Sequence, residues 1–171
     1  MRIVAWLVAI GGITCIASPA GAQVDSRESR ATLATVRGIY VAAEDMDSAA
    51  AAHGLTAAGL KADIEDRLRS AGIRVSSRDD FTSSLEVVQL YVAVNEFALS
   101  SHPGLFTYNC STEVRQAVKL VRDPSVVLTT VTWRVEPTVG TVGSDNLYVS
   151  VRDKVRAQVD VFMQAYRLAR Q

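Results

Sequence analysis

Residues 106 to 120 alternate with a period of two, and no other feature of the chain restricts its fold as strongly. Phe106, Tyr108, Cys110, Val114, Val118 and Leu120 hold even positions, while Asn109, Ser111, Glu113, Arg115 and Lys119 hold odd ones. Successive side chains on a strand point to opposite faces, so the run predicts a half-buried sheet with one dry face and one wet face. Cys110 falls on the dry side. Val88, Leu90, Val92 and Val94 repeat the pattern upstream, and Ser100-Ser101-His102-Pro103-Gly104 supplies the turn between the two runs.

A second strand follows the first through Asp123-Pro124-Ser125, where Pro124 sets φ for a type I turn. A four-residue loop from Asp123 to Val126 pairs Arg122 with Val127. That register sets Val118 opposite Val131, Gln116 opposite Trp133 and Val114 opposite Val135. It also places Arg115 opposite Arg134, which is unfavourable, but the diagonals Glu113–Arg134 and Arg115–Glu136 have opposite signs. Shifting by one residue exposes the valines, so parity argues for this long hairpin. Glu136 to Gly143 (EPTVGTVG) reads as a loop whose glycines serve turn geometry.

Helical spacing appears twice. Leu60, Ile64 and Leu68 recur every four residues behind Thr56 as N-cap, and Gly72 stands where a left-handed residue closes a helix. Near the end, Leu147, Val151, Val155, Val159, Phe162 and Tyr166 form one stripe, with Ser144 or Asp145 as the cap. Val36 to Ala42 reads as the first strand and Ile73 to Ser76 as an extended segment after the first long helix. The order β-α-β-β-β-β-α predicts an α+β two-layer sandwich. Its sheet is mixed but mostly antiparallel, with four to five strands and two helices on one face.

Residues 1–22 carry an export signal that is removed. Arg2 is the positive n-region, Ile3 to Ile16 the apolar stretch, and Ala20-Gly21-Ala22 the cleavage site before Gln23. Gly11, Gly12 and Pro19 interrupt the run that a spanning helix needs, about 20 apolar residues. Cys15 follows Ile13-Thr14 rather than the small residue a lipid-modified cysteine wants. The expected organisation is a loose lead-in or short helix over 23–34 and one α+β domain over 35–171, in the bacterial periplasm or secreted. No later segment is apolar enough to span a membrane.

Loss of the leader leaves 17 basic residues against 18 acidic. No basic stripe invites nucleic acid. Cys110 is then the one remaining cysteine, so an intramolecular disulfide is excluded. Its fate is a buried small hydrophobe, an intermolecular bridge or a reactive thiol.

Chemistry-bearing groups are few. His53 and His102 lie beside turn residues, in no zinc spacing. No serine sits in a Gly-x-Ser-x-Gly elbow, and Gly140-Thr141-Val142-Gly143 lacks the lysine of a phosphate loop. Two groups merit following. Glu44, Asp45 and Asp47 follow the first strand, and Asp79 and Asp80 follow the extended segment 73–76, read as the strand after the helix. If both strand ends reach one sheet edge, their carboxylates converge as a hard cation such as calcium requires. Glu113, Arg115, Lys119 and Arg134 on the wet face form a charged surface open to a partner, a second copy or water.

The segments GLTAAGLKADIEDRLRSAGIRV, VRDPS and TVGSDNLYVSVRDKVRAQVDVF resemble a group of small exported bacterial proteins of unknown function. More remotely, the element order is similar to that of the amino-terminal domain of TolB and of the lipopolysaccharide-assembly lipoprotein. That resemblance implies an interaction role, and it transfers no site residue or cofactor. The expectation is a non-catalytic exported envelope accessory protein that binds an envelope partner or pairs as a homodimer. The rival is a small-ligand or metal-binding protein, or an enzyme, using the acidic strand ends near Asp45 and Asp79.

Overall fold

A computed structural model of the chain describes residues 25–171, so the leader read at 1–22 lies outside it. The alternating run forms β3 (Leu105–Leu120), the central strand of a five-stranded open sheet. On one side it pairs antiparallel with β2 (Val87–Ala98), which pairs parallel with β1 (Gly38–Ala43). On the other side two strands share its length. β5 (Thr138–Gly143) pairs with its first half and β4 (Asp123–Arg134) with its second. The sheet is therefore mixed and mostly antiparallel, as the sequence pattern predicts.

The long helices α3 (Ala57–Ser70) and α5 (Leu147–Leu168) cover one face. Leu60, Ile64 and Leu68 of α3 and the whole apolar stripe of α5 are buried against Val88, Leu90, Val92, Val94, Cys110 and Val114. Thr56 Oγ1 accepts the Gly59 N–H at 3.1 Å, which supplies the N-cap. At the other end Gly72 takes φ +75°. Its N–H meets the Arg69 carbonyl at 3.0 Å and the Ile73 N–H meets Leu68 at 2.9 Å, so both exposed carbonyls are satisfied. The two helices are joined by bidentate pairs: Arg67 donates to Asp160 at 2.7 and 2.5 Å, and Arg156 donates to Asp63. The Arg156 guanidinium holds the Asp63 carboxyl below its usual range.

Three shorter helices complete the chain. α1 (Arg27–Ala31) occupies the segment read as a loose lead-in or a short helix, and Leu33 just beyond it is fully buried. α2 (Ser48–Ala52) is capped by Asp47, whose Oδ1 accepts the Ala49 N–H at 2.7 Å. α4 (Arg78–Ser83) begins with a reciprocal capping box between Ser77 and Asp80. Its Phe81 stacks on Tyr40, at 5.7 Å between ring centres.

Four local readings are corrected. Residues 73–76 contribute a single parallel bridge, Ile39 to Val75, rather than a full strand. The EPTVGTVG loop contains β5 instead. Gly140 lies opposite Tyr108, and a Cβ there would come within 2.5 Å of the phenol ring, so the glycine admits a cross-strand aromatic and not a turn. α5 starts from a 3-10 turn over Ser144–Asn146 with no side-chain cap, so neither Ser144 nor Asp145 closes it. The β3–β4 hairpin exists, but its register differs. Val118 faces Leu128, Gln116 faces Thr130 and Val114 faces Trp133. The turn is Val121-Arg122, with the strand resuming at Asp123, and bulges interrupt the ladder beside Leu120 and Arg115. Arg115 consequently faces Val131, and Arg134 faces Glu113, so the expected like-charge contact does not arise.

Candidate functional site

The hairpin divides at Val114. Up to that residue every even side chain of β3 is buried; beyond it none is. The outer part of β3 and β4 is an arm whose apolar residues have no core to enter. Val121 at the tip is 99% exposed, Val127 55%, and Val126, Leu128 and Val131 close to 40% each. Pro124 is tolerated because β4 is an edge strand, where a missing N–H costs no ladder bond. Asp123 Oδ1 accepts both the N–H and the hydroxyl of Ser125, which shapes the bulge after the turn.

Beside the arm lies a groove. Phe81 and Leu85 from the end of α4 and the following loop form one wall, with Thr82, Ser83 and Ser84 at its rim. Val127 and Thr129 form the other wall over a floor of Val87 and Ala117. Leu85 is 75% exposed, so the apolar surface continues across the groove. Several large apolar side chains are thus left in water on one contiguous arm, which makes it the candidate contact surface.

Of the charged residues of the wet face, Glu113 and Arg115 are tied to each other. Arg115 donates to Glu113 at 2.6 Å, and its guanidinium lies 3.6 Å from the centre of the Tyr91 ring. Lys119 is exposed along the arm.

The two acidic groups after the strands do not combine. Asp80 closes the capping box of α4 and Asp47 caps α2. The carboxylate that joins the first group is Glu96, at the far end of β2. Its Oε1 accepts the Asp47 N–H at 2.8 Å, and Oε2 is buried without a partner. Burial pushes the Glu96 carboxyl above its usual range, and the Asp47 and Glu44 charges add to that. Among the described residues no three histidine, cysteine, aspartate or glutamate side chains group closely enough to hold a metal ion.

His53 ends α2 and lies edge-on to Phe106, at 5.6 Å between ring centres. His102 Nδ1 shares a 2.9 Å hydrogen bond with Ser101 in the exposed turn. Cys110 is fully buried, and burial pushes its thiol up to about 12. A sealed thiol with so little thiolate is neither a bridge nor a nucleophile in the folded chain.

One buried polar network was not read from the sequence. Thr112 donates to Gln158 Oε1 at 2.8 Å, while Gln158 Nε2 donates to the Cys110 carbonyl at 3.0 Å and reaches the Glu136 carbonyl and Thr138. The signal was Thr112 itself, a polar residue at an even position among apolar ones. The network locks α5 across the junction of β3 and β5.

No family model matches the chain, and no curated protein matches it. Solved structures similar to it include rare lipoprotein B from Shewanella oneidensis, at 12% identity, covering 77% of this chain and 89% of that one with a TM-score of 0.29. Another is a protein from Caulobacter crescentus described as a lipoprotein, at 12% identity, with 83% and 89% coverage and a TM-score of 0.24. Overlap this remote carries no activity or site to the present chain. No helix among the described residues is long and apolar enough to cross a membrane.

Proposed function

We infer that the protein is a non-catalytic accessory component of the bacterial envelope that acts by binding another protein through the β3–β4 arm. The observation that carries this reading is the arm itself: apolar side chains from Val121 to Val131, with Leu85 across the groove, stand in water on the hairpin. A stable fold gains nothing from leaving them there, whereas an interface gains their burial on docking. The export signal read at residues 1–22 supplies the compartment, and the interaction role accords with the resemblance in element order. The arm's groove, with its serine and threonine rim and apolar floor, suits a partner side chain or strand.

A crosslinking pull-down from the native envelope, read by mass spectrometry, tests the reading. The protein captures one dominant envelope partner, and replacing Val127 and Leu85 with serine removes it. Capture that survives both replacements, or a catch of only unrelated proteins, defeats this assignment.

A further inference from the structure

Along the dry face of β2 the inward positions run Val88, Leu90, Val92, Val94 and then Glu96. An acid stands where the alternation asks for an apolar residue, and it is buried, 8% exposed. A buried charge is costly unless it is paired. Among the described residues no basic side chain forms an ion pair with this one. Its carboxyl holds backbone instead. Oε1 accepts the N–H of Asp47, 49 residues away in the chain, at 2.8 Å, while Oε2 is sealed from water with no partner.

That contact closes one segment onto the sheet. At the end of β1 the Glu44 N–H still meets the Val92 carbonyl at 2.9 Å. From Asp45 to Leu55, among the described residues, the Asp47–Glu96 contact is then the only hydrogen bond between the chain and the sheet. α2 lies in this segment, whose Ala50 and Leu55 are fully buried. His53 rests edge-on against Phe106, the inward residue of β3 next to Tyr108, and Tyr108 pairs with Glu96.

The surroundings of Glu96 set its response to protons. Burial raises its carboxyl above the usual glutamate range, and two like charges from the β1–α2 connection, Asp47 and Glu44, raise it further. β3 presents Tyr108 opposite and Cys110 in the adjoining row, both kept neutral by burial. From α5 the Lys154 charge acts on Cys110, and α2 contributes His53 over Phe106.

We propose that Glu96 is a proton-operated latch: protonated, it holds residues 45–55 closed on the sheet, and charged, it lets that segment loosen. The carboxylate form buries a charge and an unpartnered oxygen, a cost that opening to water relieves and that protonation also relieves. Closure is therefore fully stabilised below the ordinary glutamate range, and the stabilisation is lost as pH rises through the raised value of the closed state. Loosening frees Ala50 and Leu55 and uncovers Phe106. The latch lies at the opposite end of β3 from the arm and stands independently of the arm's assignment.

Amide exchange of the purified protein, followed by NMR across a pH series and corrected for the intrinsic rate, tests the latch. The Ala51, His53, Gly54 and Leu55 amides, all hydrogen-bonded within the segment, lose protection several-fold as pH rises, while Ile64 in α3 does not change. The midpoint coincides with that of the Glu96 carboxyl, read from its carbon shift. Glu96→Gln keeps an oxygen for the Asp47 N–H and carries no charge. It retains the acid level of protection at neutral pH and melts there at a higher temperature than the parent. Asp47→Asn removes one neighbouring charge and moves the midpoint down. Protection that ignores pH, or falls equally in α3, overturns the latch. So does a Glu96→Gln chain less protected or less stable than the parent at neutral pH, because the carboxylate is then a plain structural acceptor. Should that variant not fold, Asp47→Asn decides, and a midpoint that stays in place overturns the proposal.

Discussion

The inner and outer halves of β3 share one alternating pattern and meet opposite fates. From Phe106 to Val114 the even side chains enter a core closed by α5 and β2. From Gln116 to Leu120 the same parity continues, but no even residue is fully buried. Alternation therefore specifies a strand and its two faces; whether a face is dry depends on what packs over it. The inner half is closed into the core, and the outer half leaves its apolar side chains in water.

This contrast is open to attack by mutation. Trp133 is the last buried residue of β4, 1% exposed, opposite Val114 and edge-on to Phe162 at 5.5 Å. Trp133→Ala should cost about 3–5 kcal/mol in denaturant unfolding, since it removes a large side chain from the closed half. A loss as small as that of an arm residue would erase the distinction.

A smaller effect is expected where α5 is tied to α3. Asp63→Asn should cost about 1 kcal/mol at neutral pH once solvent screening of Arg156 is allowed for. The folded carboxyl of Asp63 is lowered by Arg156, so its contribution is present above the ordinary aspartate range and is lost as pH falls through the lowered value. Thermal melts at neutral and strongly acidic pH should therefore show the variant and the parent converging in acid. A constant gap would assign the cost to packing rather than to the ion pair.

The least change in stability belongs to the arm. Val127→Ser should alter unfolding by less than about 0.5 kcal/mol, as expected for an exposed site, while reducing capture of a partner. If melting drops as for a core residue, the arm is structural after all.

The legible parts of the sequence were those where one face is sealed. α3 could be read from Thr56, from Leu60, Ile64 and Leu68, and from Gly72, because a cap, a stripe and a left-handed stop each leave a local mark. The dry side of Cys110 followed from parity. The hairpin register did not, because Val126, Val127 and Leu128 are apolar at consecutive positions and neither face of the arm is buried. Parity can select a register only when slipping costs burial. β5 was hidden by Gly140, which makes room for Tyr108, a demand set by a residue on another strand. The exposure of the arm's apolar side chains was missed for the same reason as the register. An apolar run in a sequence looks identical whether it is covered or left bare.

Cys110 gives the molecule an internal clock. Its side chain lies on the dry face under the helix layer, fully buried, so a reagent reaches the sulfur only when that layer parts from the sheet. Alkylation under native conditions then counts openings of the core between sheet and helices, one per molecule, with no label added. Events confined to the arm would pass unrecorded, and the two halves of the hairpin acquire separate time bases.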